Sequence, residues 1–168
     1  MTVTVLETAK GPIALRPERE DDASFLYELF RSHTLPGFAS MPVDEAMKES
    51  LVRMQFRAQT GSYRAGFPRG LFAVLEQDGV PIGRLVWDEK DGVAYIVDLA
   101  LMPGSRGGGI GTAFMTALLA WAGERCAMVW SLVLHTNVAS LRMCERVGMV
   151  HDGDEGVNAR MVWRRGAS

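Results

Sequence analysis

Cysteine is scarce, with only Cys126 and Cys144 in 168 residues. Two cysteines exclude a disulfide-built scaffold, and they lie too far apart for a short zinc-ligand spacing. No metal site is expected. Long apolar runs are missing too, since none approaches the ~18 residues of a membrane-crossing helix. The opening stretch, MTVTVLETAKGPIAL, has no basic segment followed by an apolar one. A soluble, cytoplasmic chain with no membrane partner is the expectation. Nor is there a basic excess: 18 Lys+Arg face 20 Asp+Glu, a net charge of −2. A protein gripping nucleic-acid backbone needs a cationic surplus, so no nucleic-acid partner is expected.

What is present describes an ordinary globular protein, with 48% hydrophobic and 23% charged residues. The length suits one domain over residues 1–168, able to bury roughly 70% of its unfolded surface without a staple. Ile13 to Leu15 opens as a short strand. Asp21 and Asp22 are placed to cap a helix with Phe25, Leu26, Leu29 and Phe30 on its apolar face. Asp44 starts a second helix whose Met47, Leu51, Met54 and Ala58 form one stripe, read as core. Beyond Gly61 the period changes. Leu71–Glu76 and Ile82–Trp87 read as strands joined by a tight Asp78-Gly79 turn. Val93–Met102 is apolar almost throughout, the pattern of a strand covered on both faces. A glycine loop, a helix over Thr112–Arg125, a buried strand over Met128–Leu134, a short helix over Val138–Val147 and a terminal strand pair complete the order. The fold class is α/β: a mixed, mostly antiparallel sheet of about seven strands flanked by about four helices.

Glycine is plentiful, at 18 residues, and five fall between Gly104 and Gly111. There a strand runs into a loop with few side chains, and the loop runs into a helix. Such a turn lets backbone approach a ligand closely, while free N–H groups and the helix dipole favour an anion. The nucleotide fingerprints fail by register. GxxxxGK[ST] would need Lys where Ile110 stands, and GxGxxG would need glycine at Thr112 or Phe114. The pattern that fits is Arg-x-x-Gly-x-Gly, through Arg106, Gly109 and Gly111.

That pattern resembles the acetyl-CoA loop of the GNAT family of N-acetyltransferases. Downstream, Asn137 to Met149 is similar to the family's second signature, an Asn opening a helix that ends in Glu-Arg-x-Gly. Upstream, Asp78 to Gly83 is similar to its β-hairpin with Ile-Gly on the return strand. The likeness runs over roughly residues 12–164, with the motifs in the family's order. It implies an acyl-CoA N-acyltransferase-like fold and a direct, ternary-complex transfer of acetyl from acetyl-CoA to a primary amine. It also implies that the backbone of Leu99, Ala100 and Leu101 pairs with the pantetheine arm. Arg106, Gly107, Gly108, Gly109, Ile110, Gly111 and Thr112 would wrap the pyrophosphate, and Asn137 would bond the pantetheine.

Two residues are candidates for proton transfer. Asp98 interrupts an apolar strand where many relatives carry a Glu base acting through water; the alternative is a structural, paired Asp. Cys144 stands where the family commonly has a Tyr acid, and a cysteine on a short helix is more often packing. Other residues carry less. His33, His135 and His151 show no ligand spacing and no clustered acidic partner, and Ser105 is not in a GxSxG elbow. Arg142 and Arg146 face either the 3′-phosphate of CoA or solvent. The first two helices are rich in aromatics, with Phe25 and Phe30 read as core and Phe38, Met41 and Tyr63 left open between core and acceptor pocket. The acceptor is a small-molecule or peptide amine. Family habit leaves a homodimer open, and the Cys144 departure leaves an alternative, a CoA-binding sensor or interaction module with little or no catalysis.

Overall fold

The structure, a computed structural model, describes residues 3–166. Its strands are β1 (Thr4–Leu6), β2 (Ile13–Pro17), β3 (Leu71–Gln77), β4 (Val80–Lys90), β5 (Val93–Leu101), β6 (Met128–Leu134), β7 (Val150–Glu155) and β8 (Asn158–Arg164). Four helices accompany them: α1 (Ala23–Thr34), α2 (Glu45–Gly66), α3 (Ile110–Gly123) and α4 (Val138–Arg146). All eight strands join one sheet in the order β1-β2-β3-β4-β5-β6-β8-β7. That is one strand more than the sequence suggests. The extra one is β1, three residues that form only by pairing Thr4 to Leu6 against β2.

Every neighbouring pair is antiparallel except β5 and β6, which run parallel across the α3 crossover. Their pairing covers only Val93↔Met128 to Ile96↔Ser131. Beyond Ile96 the two strands part, and Val97 to Leu101 border open space on that side. Val93–Met102 is therefore not covered on both faces. Only Ala94 and Ile96 are buried, because the second half of the strand forms the wall of a cleft. Likewise β6 is only partly buried and ends on exposed Leu134.

The main core lies between the sheet and the α3–α4 layer. Phe114, Met115, Leu118, Leu119 and Ala122 of α3 meet Leu75, Leu85, Ile96 and Val129 there. On the opposite face α1 and α2 pack together through Phe56, whose ring lies 5.5 Å from both Tyr27 and Phe30. Glu49 ties the same pair, accepting from Tyr27 Oη and, at 2.9 Å, from Arg31 Nε.

Two expectations fail on this face. The Met47–Met54 stripe looks outward, with Met47 51% and Met54 60% exposed. The buried side of α2 carries Lys48 and Val52, with Phe56 turned to α1, because contacts to α1 and the sheet orient this helix more strongly than its methionines do. Asp22 does not cap α1 with its side chain. Instead its carboxylate takes both terminal nitrogens of buried Arg16 at 2.7 Å and the Arg19 backbone N–H at 2.7 Å. A buried arginine needs a partner more than the helix needs a cap.

Candidate active site

The glycine loop follows from local chain chemistry. Pro103 ends β5, and Ser105 N–H and Arg106 N–H close a 3-10 turn onto Met102 and Pro103 carbonyls. Gly107 and Gly109 then adopt φ of +78° and +81°, the left-handed region that an L side chain resists. Gly109 serves as the N-cap of α3, and Ala113 N–H makes the helix's first bond back to its carbonyl. The helix thus begins two residues earlier than its sequence pattern suggests. The N–H groups of Ile110, Gly111 and Thr112 are left without an intrahelical acceptor and converge at its positive end. The Arg106 N–H is spent on the turn, so the free donors begin at Gly107.

Close packing holds this loop against the strand edge. A Cβ on Gly111 would sit 3.1 Å from Met143 Sδ and 3.4 Å from Leu101 Cδ1. A Cβ on Gly83 would come within 2.4 Å of the Ala100 carbonyl oxygen. The Gly83 position therefore needs glycine so that β5 can lie where it does, whereas at Gly111 the Met143 side chain would have to give by a few tenths of an ångström.

Between the unpaired edge of β5, the β1–β2 connection, α3 and α4 lies a cavity of about 930 Å³. Leu99, Leu101, Arg106, Gly107, Gly109, Gly111 and Thr112 line it, as do Ala139, Ser140, Met143 and Arg146 from α4. Seven of the expected binding residues thus share one wall. Ala100, Gly108, Ile110 and Asn137 do not line it. Ala100 faces Arg84 across the β4–β5 ladder, and Asn137 is the N-cap of α4, accepting from Ser140 N–H at 3.2 Å.

Among the other lining residues, Lys10 is not singled out by the sequence and His33 is set aside there. Lys10 reaches over the loop from the β1–β2 connection, its Cε 3.4 Å from a Cβ built on Gly109. His33 stands at the end of α1, 3.1 Å from the Leu101 carbonyl and 2.7 Å from Arg106 Nη2. No spacing in the chain links either one to the loop. Arg106 also donates to the Leu101 carbonyl at 2.8 Å and reaches Ser32 Oγ at 3.3 Å. Burial, then the Arg106 charge, holds the His33 imidazole below its usual range, which keeps it neutral beside that cation. The other two histidines do have an acidic partner, contrary to expectation. Asp154 Oδ1 lies 2.7 Å from His151 and 3.3 Å from His135, because the irregular β7–β8 pairing around Gly153 folds Asp154 back.

Asp98 sits on the opposite face of β5, where the strand begins to part from β6. An irregularity in the β4–β5 register sets Val86 opposite Asp98 but Trp87 opposite Ile96, leaving Val97 as an inserted residue. Tyr95 pairs with Asp88, so Tyr95 and Asp98 point to the same face although three positions separate them. The Asp98 side chain is 26% exposed and makes no hydrogen bond among the described residues. Its Oδ2 lies 3.8 Å from Arg84 Nη1. Burial pushes its carboxyl up to about 6, against the pull of Arg84 and with a push from Glu18. Tyr63 of α2 is pushed up to about 12 by burial and by the Asp98 charge. Cys144 is placed differently, 3% exposed within the core, and burial raises its thiol to about 11. It does not line the cavity.

A sequence model of the Acetyltransferase (GNAT) family matches residues 24–149. No curated protein sequence matches the chain significantly. Among solved structures, the PaiA N-acetyltransferase of Thermoplasma acidophilum in complex with coenzyme A superposes with a TM-score of 0.67 at 18% identity, covering 90% of this chain and 98% of that one. RimJ of Mycobacterium smegmatis, in complex with CoA-disulfide, gives 0.61 at 20% identity over 95% and 84% of the two chains. The aminoglycoside acetyltransferase AAC(6')-Ib, in complex with ribostamycin and coenzyme A, gives 0.64 at 22% identity over 91% and 93%. These likenesses show the fold, and the match across three quarters of the sequence shows the lineage: this chain belongs to the Acetyltransferase (GNAT) family and is an N-acetyltransferase.

Proposed function

We propose that the protein moves an acetyl group from acetyl-CoA directly to a primary amine, with both substrates bound together. The observation that carries this reading is the cavity opened where β5 parts from β6, floored by the free N–H groups at the start of α3. A pyrophosphate fits those donors and the positive helix end. Lys10 and Arg146 add formal charge at the cavity wall. The pantetheine arm would lie along the Leu99–Leu101 edge as an added strand, since β6 no longer pairs there. Arg106 is turned toward Ser32, His33 and the Leu101 carbonyl, so the loop grips the phosphates chiefly through main-chain groups.

In the transfer, the amine nitrogen forms a bond to the acetyl carbonyl carbon, the C–S bond breaks, and the thiolate leaves with the proton that the new amide nitrogen sheds. The amine must first be neutral, and Asp98 is the group that receives its proton, directly or through one water. The carboxyl is suited to that task because burial pushes it up to about 6 and no donor among the described residues hydrogen-bonds it. Cys144 is assigned to packing, since a core thiol held near 11 neither ionises nor reaches the cavity. The acceptor is taken to be a primary amine, the class to which ribostamycin, bound by a structural neighbour, belongs.

Thiol release measured across a panel of primary amines tests this reading. The Asp98→Asn variant should lose roughly a hundredfold or more in kcat while its affinity for acetyl-CoA stays level. Cys144→Ala should turn over nearly as the parent does. Full activity in Asp98→Asn, or a hundredfold loss in a stably folded Cys144→Ala, would reverse the two assignments.

A further inference from the structure

Beneath Asp98 lies a charge network that neither the glycine loop nor the cavity explains. Arg84 on β4 is 5% exposed, in a layer where an unpaired guanidinium would be costly. Its Nε donates to Glu18 Oε1 at 2.7 Å, whereas its Nη1 stays 3.8 Å from Asp98 Oδ2, beyond hydrogen-bond range. Glu18 follows β2 and is tied down by its own N–H bond to the Phe72 carbonyl. Its second oxygen takes Arg64 Nη2 of α2 at 2.5 Å, and Arg64 lies 3.7 Å over the Phe72 ring. Two arginines thus converge on Glu18. Among the described residues, Asp98 is left as the one carboxylate of the cluster with no hydrogen-bonded partner.

We propose that Glu18 and Arg84 are positioning residues for Asp98: Glu18 holds the guanidinium of Arg84 beneath the site, so that Arg84 stays within ion-pair distance of the Asp98 carboxylate and orients it without closing a hydrogen bond on it. A carboxylate in a tight bidentate pair is a poor proton acceptor, while one left wholly uncompensated in this layer would stay protonated. The arrangement lies between these limits. The groups facing Asp98 are Arg84 from β4, Glu18 from the segment after β2, Tyr63 from α2 and Tyr95 from β5, while Arg64 of α2 bears on it through Glu18. Of these, Arg84 favours the ionised form and Glu18 opposes it. The proposal rests on the reading of Asp98 as the base, and it concerns what tunes that base.

The test is a 13C NMR titration of the Asp98 carboxyl carbon in the whole protein, assigned by its loss in Asp98→Asn. It needs no knowledge of the acceptor. The midpoint should lie near 6 in the parent, as burial dictates. Glu18→Gln removes the opposing charge and frees Arg84, so the midpoint should fall by about one pH unit or more. Arg84→Gln removes the attraction, so the midpoint should rise. Opposite movements in the two variants are a signature that general loosening of the fold does not produce. Should one variant fail to fold, the other still reads the network. Unmoved midpoints in a folded variant, or movement in the reverse directions, would overturn the proposal. Failure of the base reading looks different: the midpoints move as expected, yet Asp98→Asn keeps full turnover.

Discussion

Arg16 and Asp22 illustrate how one pair of side chains organises a local region. Both side chains are 8% exposed, and Arg16 also donates to Glu76 at 2.6 Å, so β2, β3 and the entry to α1 share one cation. The Arg16 hydrogen bonds hold the Asp22 carboxyl below its usual range, and they outweigh the burial that would raise it. Arg16→Ala leaves that carboxylate buried without its cation, with only the Arg19 N–H bond kept, and a loss of about 3–5 kcal/mol is expected in urea unfolding. Because the folded carboxyl is depressed, the pair's contribution is present above the ordinary carboxylate range, about 4, and is lost as pH falls below it. The destabilisation caused by Arg16→Ala should therefore shrink in acid. A constant difference between pH 7 and pH 3 would show that the pair contributes nothing through its charge. Legibility at this scale was uneven. Asp98 stood out as a charge inside an apolar run, but nothing in the spacing connected it to Glu18 or Arg84. Those contacts exist only once β2 and β4 are folded onto one face.

At the scale of elements, the glycine loop and the helix after it were the most legible part of the chain. Glycines at positive φ, a proline that ends the strand and a helix start are all local signals. Residues meeting the loop from elsewhere were invisible. Lys10 arrives from the β1–β2 connection and His33 from the end of α1, and neither contact has a sequence period. Helix α2 shows the reverse failure. Its methionine stripe gave a clear apolar period, but its orientation is set by Phe56 and Glu49 meeting α1. Gly83 provides the test at this level. In the resemblance it is merely part of a hairpin motif, whereas in the fold it makes room for the Ala100 carbonyl and Leu101 side chain, at 2.4 and 2.7 Å from a built Cβ. Gly83→Ala must push β5 toward the cavity, and overpacking of this kind costs about 1–3 kcal/mol. Affinity for acetyl-CoA should fall together with stability, read by calorimetric titration. Affinity equal to the parent's would show that the Leu99–Leu101 edge takes no part in binding.

The whole molecule turns on where its sheet opens. Seven of the eight strands were legible because hairpin turns and apolar runs mark them. The eighth, β1, depends on a tertiary partner and carries almost no pattern of its own. The cleft itself could not be seen in the sequence, since an apolar strand looks the same whether its far edge is paired or free. Parting β5 from β6 after four register pairs leaves a backbone edge, a helix start and basic side chains around one cavity, while Asp98 waits on the other face. On the proposed reading, the acetyl donor and the proton acceptor would lie on either side of the same strand. Among the described residues no helix is long and apolar enough to cross a membrane. The most direct measurement is a thermal-shift titration of the parent protein with acetyl-CoA, CoA, NADH and ATP. At 100 times its Kd a ligand adds about 2.7 kcal/mol, a rise of several degrees in Tm for a chain of this size. A rise with acetyl-CoA and CoA, and none with NADH or ATP, is the predicted result. A flat response of the folded protein to both CoA species would contradict the account.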